Sequence, residues 1–115
     1  MARPRDLMQG KATFVHRYIE VTGIATARLA DPDQLAVAVV AAAGALGFSA
    51  AGAPVTRPVQ GGSSVAHLCR EGHIVLRALP DEGRCLIDMI ALAHMSLQRG
   101  IDVLSRRLGV TLPAL

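Results

Sequence analysis

The sequence predicts an α+β fold in which an antiparallel sheet carries its helices on one face. Five short segments have the alternating or continuous apolar character of strands, and four of them follow one another along the chain. Two longer segments with helical signals lie on either side of those four strands. The 115 residues are 51% hydrophobic and 18% charged, which suits one packed core and excludes a disordered chain.

The first strand is expected from Ala12 to Ile24, because side chains there alternate between two chemically different faces. The polar residues 1–11 before it are expected to form a flexible arm. Residues 12–115 are then expected to form a single domain, since about 100–200 residues is the usual size of one.

The first helix should begin after Asp31, whose side chain suits an N-cap, with Pro32 at the first helical position. It runs to Leu46, and Gly47 suits the C-terminal cap. Its surface is apolar nearly all round. Such a helix either packs against a partner chain or exposes a thin surface of alanines, and both interpretations stay open.

The second half of the chain predicts four strands and a closing helix. The strands are expected near Val55, from Ser63 to Glu71, from Gly72 to Leu79 and from Cys85 to Ala93. The segment from Pro80 to Gly83 is typical of a turn. The last helix should begin near Ser96 and end at Gly109, because leucine and isoleucine recur on one face between them.

Composition excludes several classes of partner. The net charge of +3 comes from scattered arginines with one adjacent pair, and aromatic residues are only 3%, so we expect no nucleic-acid partner. No apolar run reaches the roughly 18 residues of a membrane span, so we expect no membrane partner. No export signal is recognisable at the N-terminus, and the two cysteines are therefore expected to be reduced thiols of a cytoplasmic protein.

The common phosphate-binding, metal-binding and catalytic motifs do not identify a site in this sequence. The loop before Ser63 opens a strand rather than a helix, so it lacks the dipole of a phosphate site. His67, Cys69, Glu71 and His73 are zinc-ligand types in alternation. We predict no metal there, because Gly72 interrupts the strand and two-residue spacing separates side chains by about 7 Å. Ser64 with a histidine could be a nucleophile and its base, which the sequence alone leaves open.

A longer stretch resembles the bacterial S-adenosylmethionine decarboxylases. The matching segments are Ser63-Ser64-Val65, Glu71-Gly72-His73, Ile74 to Asp81 and Ile87-Asp88-Met89, and the register runs without a gap from His16 to Leu92. The resemblance implies a two-layer α/β sandwich. It also implies a homodimer with active sites near the interface between the two copies.

Three positions differ from the family's chemistry. In the family, the serine of a Glu-Ser-His segment becomes a pyruvoyl cofactor when the Glu–Ser bond is cleaved. The resemblance puts Gly72 at that serine, Arg77 at a histidine that assists cleavage, and Leu92 at a cysteine that protonates the product. Glycine has no hydroxyl, arginine cannot act as a base, and leucine has no proton to give. These losses imply a member with no pyruvoyl cofactor and no decarboxylation.

Other positions are retained. Ser64 stands where the family has a serine that aids processing, and Asp81 where it has a glutamate that holds ribose hydroxyls. We expect a site for S-adenosylmethionine or a related small molecule, with Arg77 binding a carboxylate from the same strand face as Asp81. The alternative is that these two side chains pair with each other. The candidate ligand-binding residues are Ser64, Glu71, Gly72, His73, Arg77 and Asp81.

Two other functions remain as alternatives. The chain could be a non-catalytic partner or regulatory subunit of an active decarboxylase or of another enzyme, which its apolar first helix favours. An active decarboxylase of spermidine biosynthesis is the least favoured, because a fold does not carry a function without its site.

Overall fold

A computed structural model describes residues 13–114 of the chain. Five strands form one sheet in the spatial order β1-β5-β4-β3-β2, and every neighbouring pair is antiparallel. The strands are β1 (Phe14–Val21), β2 (Val55–Val59), β3 (Gly62–Leu68), β4 (His73–Leu79) and β5 (Arg84–Leu92). The helices are α1 (Thr26–Leu29), α2 (Pro32–Leu46) and α3 (Leu97–Leu108).

Burial alternates along the strands and separates two faces of the sheet. In β5 the side chains of Cys85, Ile87, Met89 and Ala91 are fully buried, whereas the residues between them are only partly buried. Because strand side chains alternate with a period of two, the buried set faces the helices. Helix α2 packs on β2, β3 and β4, and α3 packs against α2. The predicted antiparallel sheet with helices on one face is confirmed.

The opposite side of the sheet is covered by no helix among residues 13–114, and we call it the open face. It includes Phe14, Tyr18, Val55 and Leu68, which are large hydrophobic residues left exposed. Leu68 has 64% of its surface accessible, the highest value among them. The open face therefore carries apolar side chains that this chain does not bury by itself.

The caps of α2 match their prediction. The Asp31 carboxylate accepts a hydrogen bond from the Asp33 backbone N–H at 3.0 Å, and Pro32 occupies the first turn. Gly47 ends the helix with a φ of 87°, a left-handed conformation that glycine adopts without strain. Val37 and Val40 on the outer side of α2 remain 47% and 43% exposed, so the apolar surplus of this helix stays at the surface.

Several boundaries differ from the sequence prediction. The first strand ends at Val21, three residues early, and is followed by α1, a helix of four residues that is too short to show a hydrophobic period. The third strand ends at Leu68 rather than Glu71. The predicted turn is a 3₁₀ helix, Pro80–Glu82, which Gly83 ends at a φ of 60°. The expected arm at residues 1–11 lies outside the described residues.

Within the described residues, no helix combines the length and apolar character required to span a membrane.

Candidate functional site

Antiparallel register arranges the open-face side chains in rows that cross the sheet. One row, which we call the arginine row, joins Arg57, Ser64, Arg77, Leu86 and Glu20 from β2 to β1. The next row contains Val55, Ala66, Val75, Asp88 and Tyr18, and the one beyond it contains Leu68, His73, Ile90 and His16. Each row of the open face therefore contains charged or polar groups, and Val55, Ala66 and Val75 form an apolar stretch in the middle row.

Ser64 and Arg77 are direct cross-strand partners in the arginine row. Ser64 is partly buried, whereas Arg77 is exposed and has no ion pair with any carboxylate of residues 13–114. Asp81 does not share their strand, because Pro80 starts the 3₁₀ helix directly after Leu79. The expectation that Arg77 and Asp81 lie on one strand face is wrong, and the salt bridge considered as its alternative is absent from the described residues.

Glu71 anchors the loop that follows α2. Its carboxylate accepts one hydrogen bond from the Ser49 backbone N–H at 2.7 Å and a second from the Ser49 hydroxyl at 2.9 Å. The backbone hydrogen bond is the main reason that the pKa of Glu71 lies below its usual value. Both carboxylate oxygens are thus already engaged with Ser49, which gives Glu71 a structural role.

Gly72 lies where two backbones approach each other closely. A Cβ atom added at this residue would be 1.9 Å from the Ile90 carbonyl oxygen and 2.7 Å from its carbon. Both atoms belong to the backbone of β5, so a side chain at position 72 requires the β3–β4 hairpin to move. The absence of a side chain at Gly72 is therefore a packing requirement as well as a chemical difference.

Asp88 lies between two histidines on the open face. Its Oδ1 atom is 2.5 Å from His16 Nε2, and its Oδ2 atom is 3.6 Å from His73 Nε2. The cluster forms because β1 and β4 are the two neighbours of β5. The sequence alone does not predict this cluster, because only the pairing of β1 with β5 brings His16 to the Asp88 carboxylate.

A second polar network lies beside the arginine row. Arg84 binds Glu20 at 3.0 Å through Nη1 and Glu82 at 2.9 Å through Nη2. The Tyr18 hydroxyl donates to Glu20 at 3.4 Å, and partial desolvation together with that carboxylate raises the pKa of Tyr18. The guanidinium of Arg84 is thus neutralised by carboxylates, unlike that of Arg77.

The remaining candidates from the sequence do not converge. His67 faces the helices, is only 3% exposed and leaves its Nδ1 atom without a hydrogen-bond partner, whereas His73 lies on the open face. No three histidine, cysteine, aspartate or glutamate side chains in the described part of the chain are arranged to hold a metal ion. Ser64 makes no hydrogen bond to a histidine described here, so no nucleophile–base pair is formed.

Comparison with known proteins identifies a family and a similar solved structure. A family model described as S-adenosylmethionine decarboxylase matches residues 15–112. The crystal structure of the adenosylmethionine decarboxylase from Aquifex aeolicus VF5 has a TM-score of 0.77 and 14% sequence identity to this chain. That match covers 88% of this chain and 84% of the other, and at this identity it supports the fold. No curated protein shows significant similarity.

Proposed function

Since the chain belongs to the S-adenosylmethionine decarboxylase family, we propose that it is a member that neither cleaves itself nor carries a pyruvoyl cofactor. It binds S-adenosylmethionine or a related small molecule on the open face instead. The observation that supports the proposal most is that position 72 is a glycine packed closely against the backbone of β5. The residue supplies no hydroxyl for cleavage, and the Ile90 carbonyl oxygen would lie 1.9 Å from the Cβ of any other residue there.

The residues around Gly72 also do not fit a pyruvoyl group. By resemblance, Arg77 and Leu92 replace the side chains that assist cleavage and protonate the product, and neither can donate and accept a proton at neutral pH. Glu71, which would precede the cleaved bond, has both carboxylate oxygens bonded to Ser49. No reaction step through a pyruvoyl group is therefore assigned to this chain.

Binding of a carboxylate by Arg77 supports the ligand part of the proposal. Its side chain is exposed and has no carboxylate partner within the described residues, and the residue is the direct cross-strand partner of Ser64. A guanidinium holds a carboxylate through two parallel hydrogen bonds. Such an interaction stabilises the substrate carboxylate and opposes its loss as CO2. His73 and Asp81 would lie near the ends of the same ligand.

We also propose that the open face is the contact between two copies in a homodimer. Phe14, Tyr18 and Leu68 are large apolar side chains that remain exposed on this face. A second copy would bury them and place both ligand sites at the interface. Both cysteines are free, as expected for the cytoplasmic location that we propose.

The second candidate function is that of a non-catalytic or regulatory subunit. The observation that favours it is an apolar patch on the helix side, formed by Ala36, Val37, Val40, Ala41 and Pro54. A dimer formed through the open face leaves this patch exposed. A partner enzyme bound there would explain a chain that keeps the family's fold without its catalytic residues.

The ligand proposal is tested by three measurements on the purified chain. Mass spectrometry should find one intact species of 12.0 kDa, and labelled S-adenosylmethionine should release no CO2. S-adenosylmethionine or a demethylated or decarboxylated relative should raise the Tm. The rise should be lost in Arg77→Gln and kept in Arg99→Gln, a control on the exposed side of α3. Fragments that meet between Glu71 and Gly72, or an unmoved Tm with every compound, would contradict the proposal.

The assembly proposal is tested by light scattering at micromolar concentration. The wild-type chain should be a dimer or larger. Leu68→Glu places a charge on the open face and should weaken association. Val40→Glu places one on the helix patch and should not affect a dimer formed through the open face. A monomeric wild type, or association weakened only by Val40→Glu, would contradict the open-face dimer.

A further inference from the structure

We propose that Arg57, Ser64 and Arg77 together form a binding site for an oxyanion, the phosphate or carboxylate group of a small ligand. The inference rests on the proposed function in so far as it shares Ser64 and Arg77. It adds Arg57, a residue that neither the sequence motifs nor the family resemblance singled out. It also specifies the group of the ligand that is recognised, whereas the proposed function names only S-adenosylmethionine or a related small molecule.

The register of the sheet makes these three residues neighbours on one face. Arg57 is the cross-strand partner of Ser64, and Ser64 is the partner of Arg77, so all three lie on the open face in one row. Neighbouring strands are about 4.8 Å apart, which puts the two arginine backbones about 10 Å apart with Ser64 midway. Ser64 is the small, partly buried member. The arginine side chains are long enough to reach an ion above its hydroxyl, and that of Arg57 would exchange its contact with the Thr56 carbonyl oxygen for the ion.

The two arginines of the row have no carboxylate partner within residues 13–114. Neither Arg57 nor Arg77 has a carboxylate within ion-pair distance among residues 13–114, whereas Arg84 binds both Glu20 and Glu82. The described side-chain hydrogen bond of Arg57 runs from Nη1 to the Thr56 carbonyl oxygen at 2.9 Å. Most of the ten guanidinium N–H donors of the two arginines, five per residue, therefore have no partner within residues 13–114.

An oxyanion is the ligand group that satisfies this arrangement. Two guanidinium groups in one row repel each other, and a shared anion replaces that repulsion by attraction. Guanidinium groups match phosphate and carboxylate oxygens in pairs of parallel hydrogen bonds, and the Ser64 hydroxyl can donate one more. Glu20, the carboxylate in the same row, lies at its far end on β1 and is already bound to Arg84.

The neighbouring row indicates what the rest of the ligand is like. Val55, Ala66 and Val75 lie directly beside the three site residues, on the same strands and the same face. A ligand held by its anion at the arginine row would thus rest its body on an apolar surface. The site suits a small molecule with one oxyanionic end and a largely apolar or planar remainder.

Calorimetric titration of the full chain at constant ionic strength tests the inference, with inorganic phosphate, succinate and S-adenosylmethionine as separate probes. Phosphate or succinate should bind saturably, and which of them binds more tightly identifies the source of the oxyanion. Arg57→Gln should weaken that binding about tenfold or more, the usual loss of a hydrogen bond to a charged group. Arg57→Lys should restore part of it, because it retains the charge without the fork. Arg99→Gln, matched in charge change, should leave binding unaltered.

The outcomes separate this inference from the proposed function. If S-adenosylmethionine binds with an affinity that Arg57→Gln does not change, and neither anion binds, the oxyanion site is overturned and the proposed function stands. If phosphate or succinate binds in an Arg57-dependent way while S-adenosylmethionine does not bind, the inference stands and the proposed ligand is wrong. Equal weakening in Arg57→Gln and Arg99→Gln would indicate nonspecific charge attraction and would overturn the site.

Discussion

Restoring a side chain at position 72 should destabilise the protein before it can restore any chemistry. In Gly72→Ser, the Cβ atom would be placed 1.9 Å from the Ile90 carbonyl oxygen, and real Cβ contacts are never that short. The neighbouring atoms are β5 backbone, which cannot turn aside as a flexible side chain would. The hairpin end must therefore separate from β5, and Gly72→Ala should have nearly the same effect because the clash arises at Cβ.

Forcing extra atoms into a packed site costs about 1–3 kcal/mol, and the backbone contact puts Gly72→Ser at the upper end, about 2–3 kcal/mol. A loss of 1 kcal/mol lowers the Tm of a domain of this size by about 4 °C, so we expect a fall of about 8–12 °C. Calorimetry measures the Tm, and urea unfolding with an unchanged m-value measures the free energy of unfolding.

The chain offers matched controls for this experiment. Gly52→Ser adds the same side chain where no heavy atom lies within 4 Å, and it should alter the free energy of unfolding by less than about 0.5 kcal/mol. Gly62→Ser should behave like Gly72→Ser, because its Cβ would be 1.8 Å from the Ala78 carbonyl oxygen. A Gly72→Ser protein as stable as the wild type would refute the steric reasoning. Cleavage of that variant at position 72 would also refute the argument that Arg77 cannot assist cleavage.

Three further results are expected. Glu71 has a folded-state pKa below its usual value, so its contribution to stability is present above about pH 4.3 and is lost as the pH falls through the folded pKa. Urea unfolding of Glu71→Gln should therefore lose acid sensitivity relative to wild type, and equal sensitivity would contradict the Ser49 anchor. His67→Leu should raise the free energy of unfolding by about 1 kcal/mol, because it removes a buried nitrogen without a partner, whereas His94→Leu at the surface should not. Burial raises the pKa of Cys85 to about 12, so at pH 8 only about one thiol in 10,000 is thiolate, and a thiol reagent should label it only after denaturation.

Local signals in the sequence were sufficient to predict most of the helices and strands. Asp31 and Gly47 define both ends of α2 because capping depends on residues within a few positions of each other. The apolar character of β5 is a property of the segment itself, and it was enough to predict a strand there. The position of the turn at Pro80 was predicted correctly, but its 3₁₀ geometry was not. Because Asp81 lies in that 3₁₀ helix, the prediction that it shares a strand face with Arg77 was wrong.

The candidate site was harder to predict because it depends on register. Arg57 lies beside Ser64 only through the pairing of β2 with β3, and a shift of one residue would turn one of them to the opposite face. The Ile90 carbonyl that excludes a side chain at Gly72 comes from a strand that begins twelve positions later in the chain. The motifs identified Ser64, Gly72 and Arg77 but not Arg57. Which of these residues are neighbours can be seen only from the strand pairing.

The edge position of β1 has a consequence for the order in which the chain folds. Strands β2 to β5 form a meander in which each strand pairs with the next, so every pairing closes a short loop. The pairing of β1 with β5 joins residues as distant as His16 and Asp88, 72 positions apart. Closing so long a loop costs more entropy and slows folding. Strand β1 is thus synthesised before β5 and is expected to pair last, and until then it exposes Ile19 and Val21 to other chains.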